Sequence, residues 1–219
     1  MTTPHHDHFQ ATTLAPGRQA STASVVGETQ SARNEREPHP HSIMDGSMSA
    51  GWISLNALLT HSVSTIGYRA KGAMEQVEAL IREQDAMVLD IRTMPRSRSY
   101  PQWNRKPLEA RFGLHHYDHL ELLGNVNYLY PDRPIQLQDA DNGLLWLCVY
   151  LQRRNVVLLC GCPQPTWIER TRREAHHRMC HRYVVCQVLH QQFPTLSLDH
   201  LIRHSDGGWG KQRHEEVQA

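Results

Sequence analysis

The chain has 219 residues, room for one domain with a sizeable core plus a tail, and its formal net charge of +1 creates no strong global field selecting nucleic acid or membrane. No apolar stretch approaches the roughly 18 residues needed to span a bilayer, and the N-terminus lacks the charged-then-apolar pattern of a secretory signal. Five cysteines, an odd number without framework spacing, point to reduced thiols in a cytoplasmic setting.

Residues 1–50 read as a disordered tail, rich in Thr, Ser, Ala, Pro, Gly, His and Gln and poor in large apolar side chains. His5, His6 and His8 form a loose metal-capable run that reads more simply as solvated tail, and Met44 and Met48 offer later start points. The folded part is expected from residue 51. Residues 64–68 are strand-like and broken by Gly67. Met74, Val77, Leu80 and Ile81 then recur at helical spacing. Residues 86–91 suit a buried strand. Pro95 and Pro101 bracket an arginine-rich loop. The next helix has Pro107 in its first turn, Leu108 and Phe112 four apart, and Gly113 at its end. Residues 117–120 predict another strand.

Asp139 or Asp141 is placed to cap a helix carrying Leu144, Leu145, Cys148 and Leu151, with Arg153 and Arg154 suiting its C-terminal dipole. Asn155 turns the chain into residues 156–160, the clearest buried strand. Residues 167–192 read as helical, in one piece or two. Residues 196–198 complete the sheet, and 206–219 are left as a flexible C-terminal tail. Strands alternating with helices predict an α/β fold over residues 51–205: a compact layered domain with a mostly parallel sheet flanked by helices.

In such sheets ligands collect beyond the carboxyl ends of the strands. Asp90 and Arg92 end one strand and share a face by its period of two. Asp90 could serve as a general base and Arg92 as an anion fork, or the two could form a salt bridge. Arg96, Ser97 and Arg98 suit phosphate or carboxylate, with Tyr100 and Trp103 near enough to stack on a base; an exposed basic loop explains them equally. Asn104 could offer an amide to a ligand or cap the following helix. Cys160 could be a small apolar filler or a nucleophile, and Cys180, His181 and Arg182 add a second thiol, a possible base and another fork.

A phosphatase-like loop needs arginine six positions after its cysteine, and from Cys160, Cys162 and Cys180 those positions hold Thr166, Ile168 and Cys186, so none of the three opens such a loop. No C-x-x-C motif is present. A zinc site from Cys160, Cys162, Cys180 and His181 is the remaining thiol alternative, although the spacing matches no strong zinc signature. The run from Arg170 to Arg178 is a solvated face or a local patch for a nucleic-acid backbone.

The segments Thr65–Tyr68, Asp90-Ile91-Arg92, Pro95-Arg96-Ser97, Pro101–Asn104, Glu121–Gly124, Leu159-Cys160 and Cys180-His181-Arg182 together resemble the domain-of-unknown-function 488 family, over roughly residues 64 to 200. The resemblance implies a compact α/β domain and no settled activity. Two features depart from the family: Cys162 stands where an acidic residue is usual, and nineteen residues separate Cys160 from Cys180 where the family has a short loop. The expectation is an enzyme acting on an anionic substrate, a nucleotide or nucleic acid. Asp90, Cys160, Cys180 and His181 would be catalytic, and Arg92, Arg96, Ser97, Asn104 and Arg182 would bind substrate. No metal, no cofactor and no membrane are expected. The alternative is a non-catalytic module that binds nucleic acid or protein. The enzyme expectation requires all these groups to line one cleft.

Overall fold

Segments that are apolar on both faces fit only the middle of a covered parallel sheet. β1 (Val63–Gly67), β2 (Met87–Asp90) and β4 (Val156–Cys160) are buried at every position, and they are the central strands here. The computed structural model describes residues 59–130, 132–170 and 175–218; the tail expected over residues 1–50 lies outside them. With β3 (Tyr117–His119), β7 (Leu198–Arg203) and β8 (Trp209–Arg213), these strands form a six-stranded sheet in the order β3-β2-β4-β1-β7-β8. All neighbours are parallel except β7 and β8. Four helices join them: α1 (Ala73–Gln84), α2 (Arg105–His116), α3 (Ala140–Leu151) and α4 (His181–Gln192). No helix among the described residues is long and apolar enough to cross a membrane.

The pleat divides the core in two. On one face Ile66, Val88, Val157 and Leu159 pack with Val77 and Leu80 of α1, Leu108 of α2, and Trp103 and Tyr117. On the other face Val63, Leu89, Leu158 and Cys160 pack with Leu144, Leu147 and Leu151 of α3, and Val185, Cys186 and Leu189 of α4. The α/β layering expected from sequence is therefore the observed architecture. Asp139 accepts the Asn142 backbone N–H (3.2 Å) and starts α3 as expected.

Two expectations are corrected. Residues 167–192 are not helical throughout: β5 (Thr166–Arg170) and β6 (Ala175–Met179) form an antiparallel hairpin before α4 begins at His181. Thr166, Trp167 and Ile168 are strand formers, and the segment lacks an apolar stripe at helical period. The Cys180 N–H to Pro165 carbonyl bond (2.8 Å) closes the hairpin. The flexible tail expected over residues 206–219 is not what the described part of it, residues 206–218, shows. β8 pairs with β7 from Asp199↔Arg213 to Arg203↔Trp209, and His214 beyond it is fully buried.

Candidate functional site

β2 ends in Asp90, and the chain turns so that the Arg92 guanidinium folds back on it. Arg92 Nε donates to Asp90 Oδ1 (2.7 Å) and Nη2 to Oδ2 (2.5 Å). Nη2 also reaches the Trp103 carbonyl (2.6 Å), and the Tyr117 hydroxyl donates to Asp90 Oδ2 (2.9 Å). Asp90 is 0% and Arg92 7% exposed. Burial works against the Arg92 charge, but the bonds and attraction from Asp90 outweigh it and raise its pKa. Burial, then Asp90, push the Tyr117 hydroxyl far up, so it stays protonated and donates. The Arg92 guanidinium also lies 4.9 Å from the Tyr68 ring centroid, and that ring stacks on Trp103 at 5.6 Å. Asp90 and Arg92 thus consume one another: the salt-bridge alternative is the one realised.

The loop after Arg92 is held by its own polar groups. The Ser97 N–H donates to Asn104 Oδ1 (2.5 Å), and Ser97 Oγ accepts the Tyr100 N–H (3.1 Å). Asn104 precedes α2 without a side-chain cap bond, so its amide serves the loop and not the helix. Arg96 is exposed on the outside of that loop. On the same face of the sheet an open hollow of about 380 Å³ lies over the start of α1, lined by Tyr68, Arg69, Lys71, Tyr100 and Trp103 among others; neither Cys160 nor His181 lines it.

The opposite face holds the sulfur. Cys160 ends β4 and Cys180 is the N-cap of α4, and their Sγ atoms lie 3.0 Å apart, outside the ~2.05 Å of a disulfide. The Cys162 N–H donates to Cys160 Sγ (3.3 Å), which puts a third thiol on the turn next to the pair. His181 Nε2 bonds the Ile91 carbonyl (2.8 Å) and so carries the proton, which leaves Nδ1 for its contact with Cys160. Cys160 and Cys180 are sealed, whereas Cys162 and His181 are half-buried and form the open side.

Burial alone would push the Cys160 thiol up, but hydrogen bonds from Cys162, Cys180 and His181 hold it well below the usual cysteine range. Burial, then the two neighbouring sulfurs, drive Cys180 well above it. The hydrogen bond with Cys160 leads in pushing Cys162 up to about 12. For His181, burial opposes the charge, and Cys160 with the Ile91 carbonyl more than restores it. Of the three thiols Cys160 is thus the one favoured to ionise, with His181 beside it favoured to hold its proton.

Arg182, the second residue of α4, is 0% exposed. Its Nη2 reaches the Pro163 carbonyl (3.3 Å), while Nε and Nη1 have no hydrogen-bond partner among the described residues. Beyond it, Thr65 Oγ1, His200 and His214 form a buried chain (2.7 and 3.1 Å) beside Cys186.

Cys160, Cys180, His181 and Arg182 converge as expected, but Asp90 and Arg92 do not join them. Asp90 pairs with Leu159 in the sheet register, so it faces α1 and α2 while Cys160 faces α3 and α4. Sequence reasoning passed over Tyr117 and the His200–His214 pair. It placed Cys162 as a zinc ligand and as a departure from the resembled family, not beside the nucleophile; its C-x-C spacing from Cys160 was the available signal. The chain matches no family model, no curated protein and no solved structure.

Proposed function

We propose that this protein is a thiol-dependent enzyme acting on an anionic substrate, of nucleotide type or another phosphate or carboxylate, at the cluster of Cys160, Cys162, Cys180, His181 and Arg182. One observation carries this reading: Arg182 is wholly buried beside the sulfurs with two guanidinium nitrogens unpaired. A buried charge without a partner is costly, so such a group is kept where an anion comes to meet it. Cys160 is the nucleophile. It accepts the Cys162 N–H and lies at the N-terminal end of α4, where the helix dipole favours negative charge. His181 Nδ1 takes the thiol proton and returns it, while the Ile91 carbonyl fixes the ring. Asp90 and Arg92 hold the neighbouring loop and take no chemical part.

The resemblance to the domain-of-unknown-function 488 family gathers the same Cys160, Cys180, His181 and Arg182. Free thiols at all five cysteines fit a reducing compartment such as the cytoplasm.

The test is a thermal-shift screen of the reduced chain against nucleotides, inorganic phosphate and small carboxylates, followed by turnover assays on the hits. A ligand should raise the wild-type midpoint, lose that effect in Arg182→Gln and keep it in Cys160→Ser, which should lose turnover. A screen without any hit would retire the proposal. Salt-sensitive nucleic-acid binding that survives Cys160→Ser, with no turnover, would favour the non-catalytic module.

A further inference from the structure

Cys160, Cys180 and His181 offer ligand atoms that all lie within 4.8 Å of one another; Cys162 stands outside that group, on the turn that follows Cys160 with its backbone N–H on the Cys160 sulfur, placed to swing its thiol in as a fourth ligand. We infer that these four side chains form a tetrahedral site for one soft divalent cation of the zinc class, whose binding withdraws Cys160 from catalysis. The masking half of this claim rests on the function proposed above; the binding half does not.

The donor set is three thiols and an imidazole, the combination that selects such ions over magnesium or calcium. The outer contacts that a metal site needs are already in place. His181 Nε2 is committed to the Ile91 carbonyl, which fixes the ring and frees Nδ1 to ligate. Cys160 and Cys162 sit on a single turn whose backbone N–H points at the first sulfur. Little has to move. Tetrahedral bonds of about 2.3 Å place sulfurs about 3.8 Å apart, so the 3.0 Å contact between Cys160 and Cys180 need only open by under an ångström.

Charge points the same way. A divalent cation with three thiolates and a neutral imidazole sums to −1, and the unpaired Arg182 guanidinium beside it brings the buried total to zero. Binding releases three protons to solvent, one for each thiol or for an imidazolium in its place, and no redox partner is needed. Cys186, His200 and His214 make a second compact group, also within 4.8 Å. There one thiolate and two imidazoles would leave a cation at +1 facing Arg182, which already disfavours charge on His200. The second group therefore serves as the control.

The experiment uses the full chain, reduced and stripped by chelator, and titrates it with Co²⁺ and then Zn²⁺. One cobalt per chain should bind, with sulfur-to-cobalt charge-transfer absorption and the strong visible bands of a tetrahedral site, and zinc should bleach both. Zinc should also slow iodoacetamide labelling of Cys162, the half-buried thiol of the set, located by peptide mass spectrometry, by about tenfold or more. Cys162→Ser should weaken cobalt binding by about tenfold or more, with an unchanged far-ultraviolet spectrum. Cys186→Ala and His214→Ala should leave the cobalt bands alone.

A folded wild-type chain without charge-transfer bands overturns the inference, as do bands that survive Cys160→Ser and Cys162→Ser but vanish in Cys186→Ala. A cobalt spectrum in a chain that turns over nothing supports the cation site and overturns both masking and the enzyme reading. Turnover that depends on Cys160 but ignores zinc, with no cobalt bands, supports the enzyme and overturns the cation.

Discussion

Two buried polar groups behave oppositely at the level of single residues, because one is paired and the other is kept neutral. Asp90 and Arg92 meet through two bonds, with Tyr117 and the Trp103 carbonyl adding one each, and Arg92 Nη1 is left buried without a partner among the described residues. Removing one partner strands the other charge in hydrocarbon, which costs about 3–5 kcal/mol. Asp90→Asn and Arg92→Met should each lower the denaturation free energy by about that amount, while the double variant Asp90→Leu with Arg92→Met should lose less than either single change. Urea melts of all three check this. His200 is the other case. Burial, then Arg182 and His214, hold its pKa down to about 3. The unfolded chain takes up this proton near pH 6.5 and the folded one only near 3. Stability from His200 is thus complete above 6.5 and falls with acid between those limits, by about 1.4 kcal/mol per pH unit. His200→Gln should flatten the slope of unfolding free energy against pH by one proton in that window.

Among the elements, β4 and the turn after it decide whether the site forms. Gly67, opposite Cys160 in the β1–β4 register, lets that turn lie directly on β1: a Cβ there would stand 1.4 Å from the Cys162 carbonyl oxygen. Gly67→Ala should cost about 1–3 kcal/mol, the usual range for forced overpacking. It should also lift Cys162 away from Cys160, seen as faster alkylation of Cys162. β2 and β4 were legible because Met87–Leu89 and Val156–Cys160 are apolar runs, and α1 because its apolar residues keep helical spacing; β8, Trp209-Gly210-Lys211-Gln212-Arg213, carries no such run and was read as tail. The hairpin over β5 and β6 was not, since its charged residues carry no period that separates strand from solvated helix. The site was half legible. The C-x-C spacing and the Cys-His-Arg run announced it, and the period of two put Asp90 and Arg92 on one face. Which face Cys160 shares depends on the β2–β4 register, and a shift of one residue would have set Asp90 beside the sulfur. Register is fixed by packing across strands and is not written in either strand alone.

For the domain as a whole, the C-terminal β8 is a structural partner of the site's own helix. It pairs antiparallel with β7, and Asp199 on β7 meets Arg213 (3.2 Å) and Lys211 (4.0 Å) across the pair. His214, just past β8, sits 4.9 Å from the Tyr183 ring of α4 and bonds His200 on β7. Tyr183 follows Arg182 directly, so the end of the chain braces the turn of α4 that presents the guanidinium. Deleting residues 206–219 would bare the β7 edge and remove that brace together. An unpaired edge invites association between chains, and loss of packing under Tyr183 frees the first turn of α4. The truncated chain should therefore melt with a deficit several times the ~1 kcal/mol of an ordinary point substitution, and run as higher-order species in gel filtration. It should also expose Cys180 to alkylation at a rate the intact protein does not show. A truncated chain that stays monomeric, melts like the parent and keeps Cys180 protected would mean that β8 is an ornament of the sheet and that α4 is braced from β4 and α3 alone.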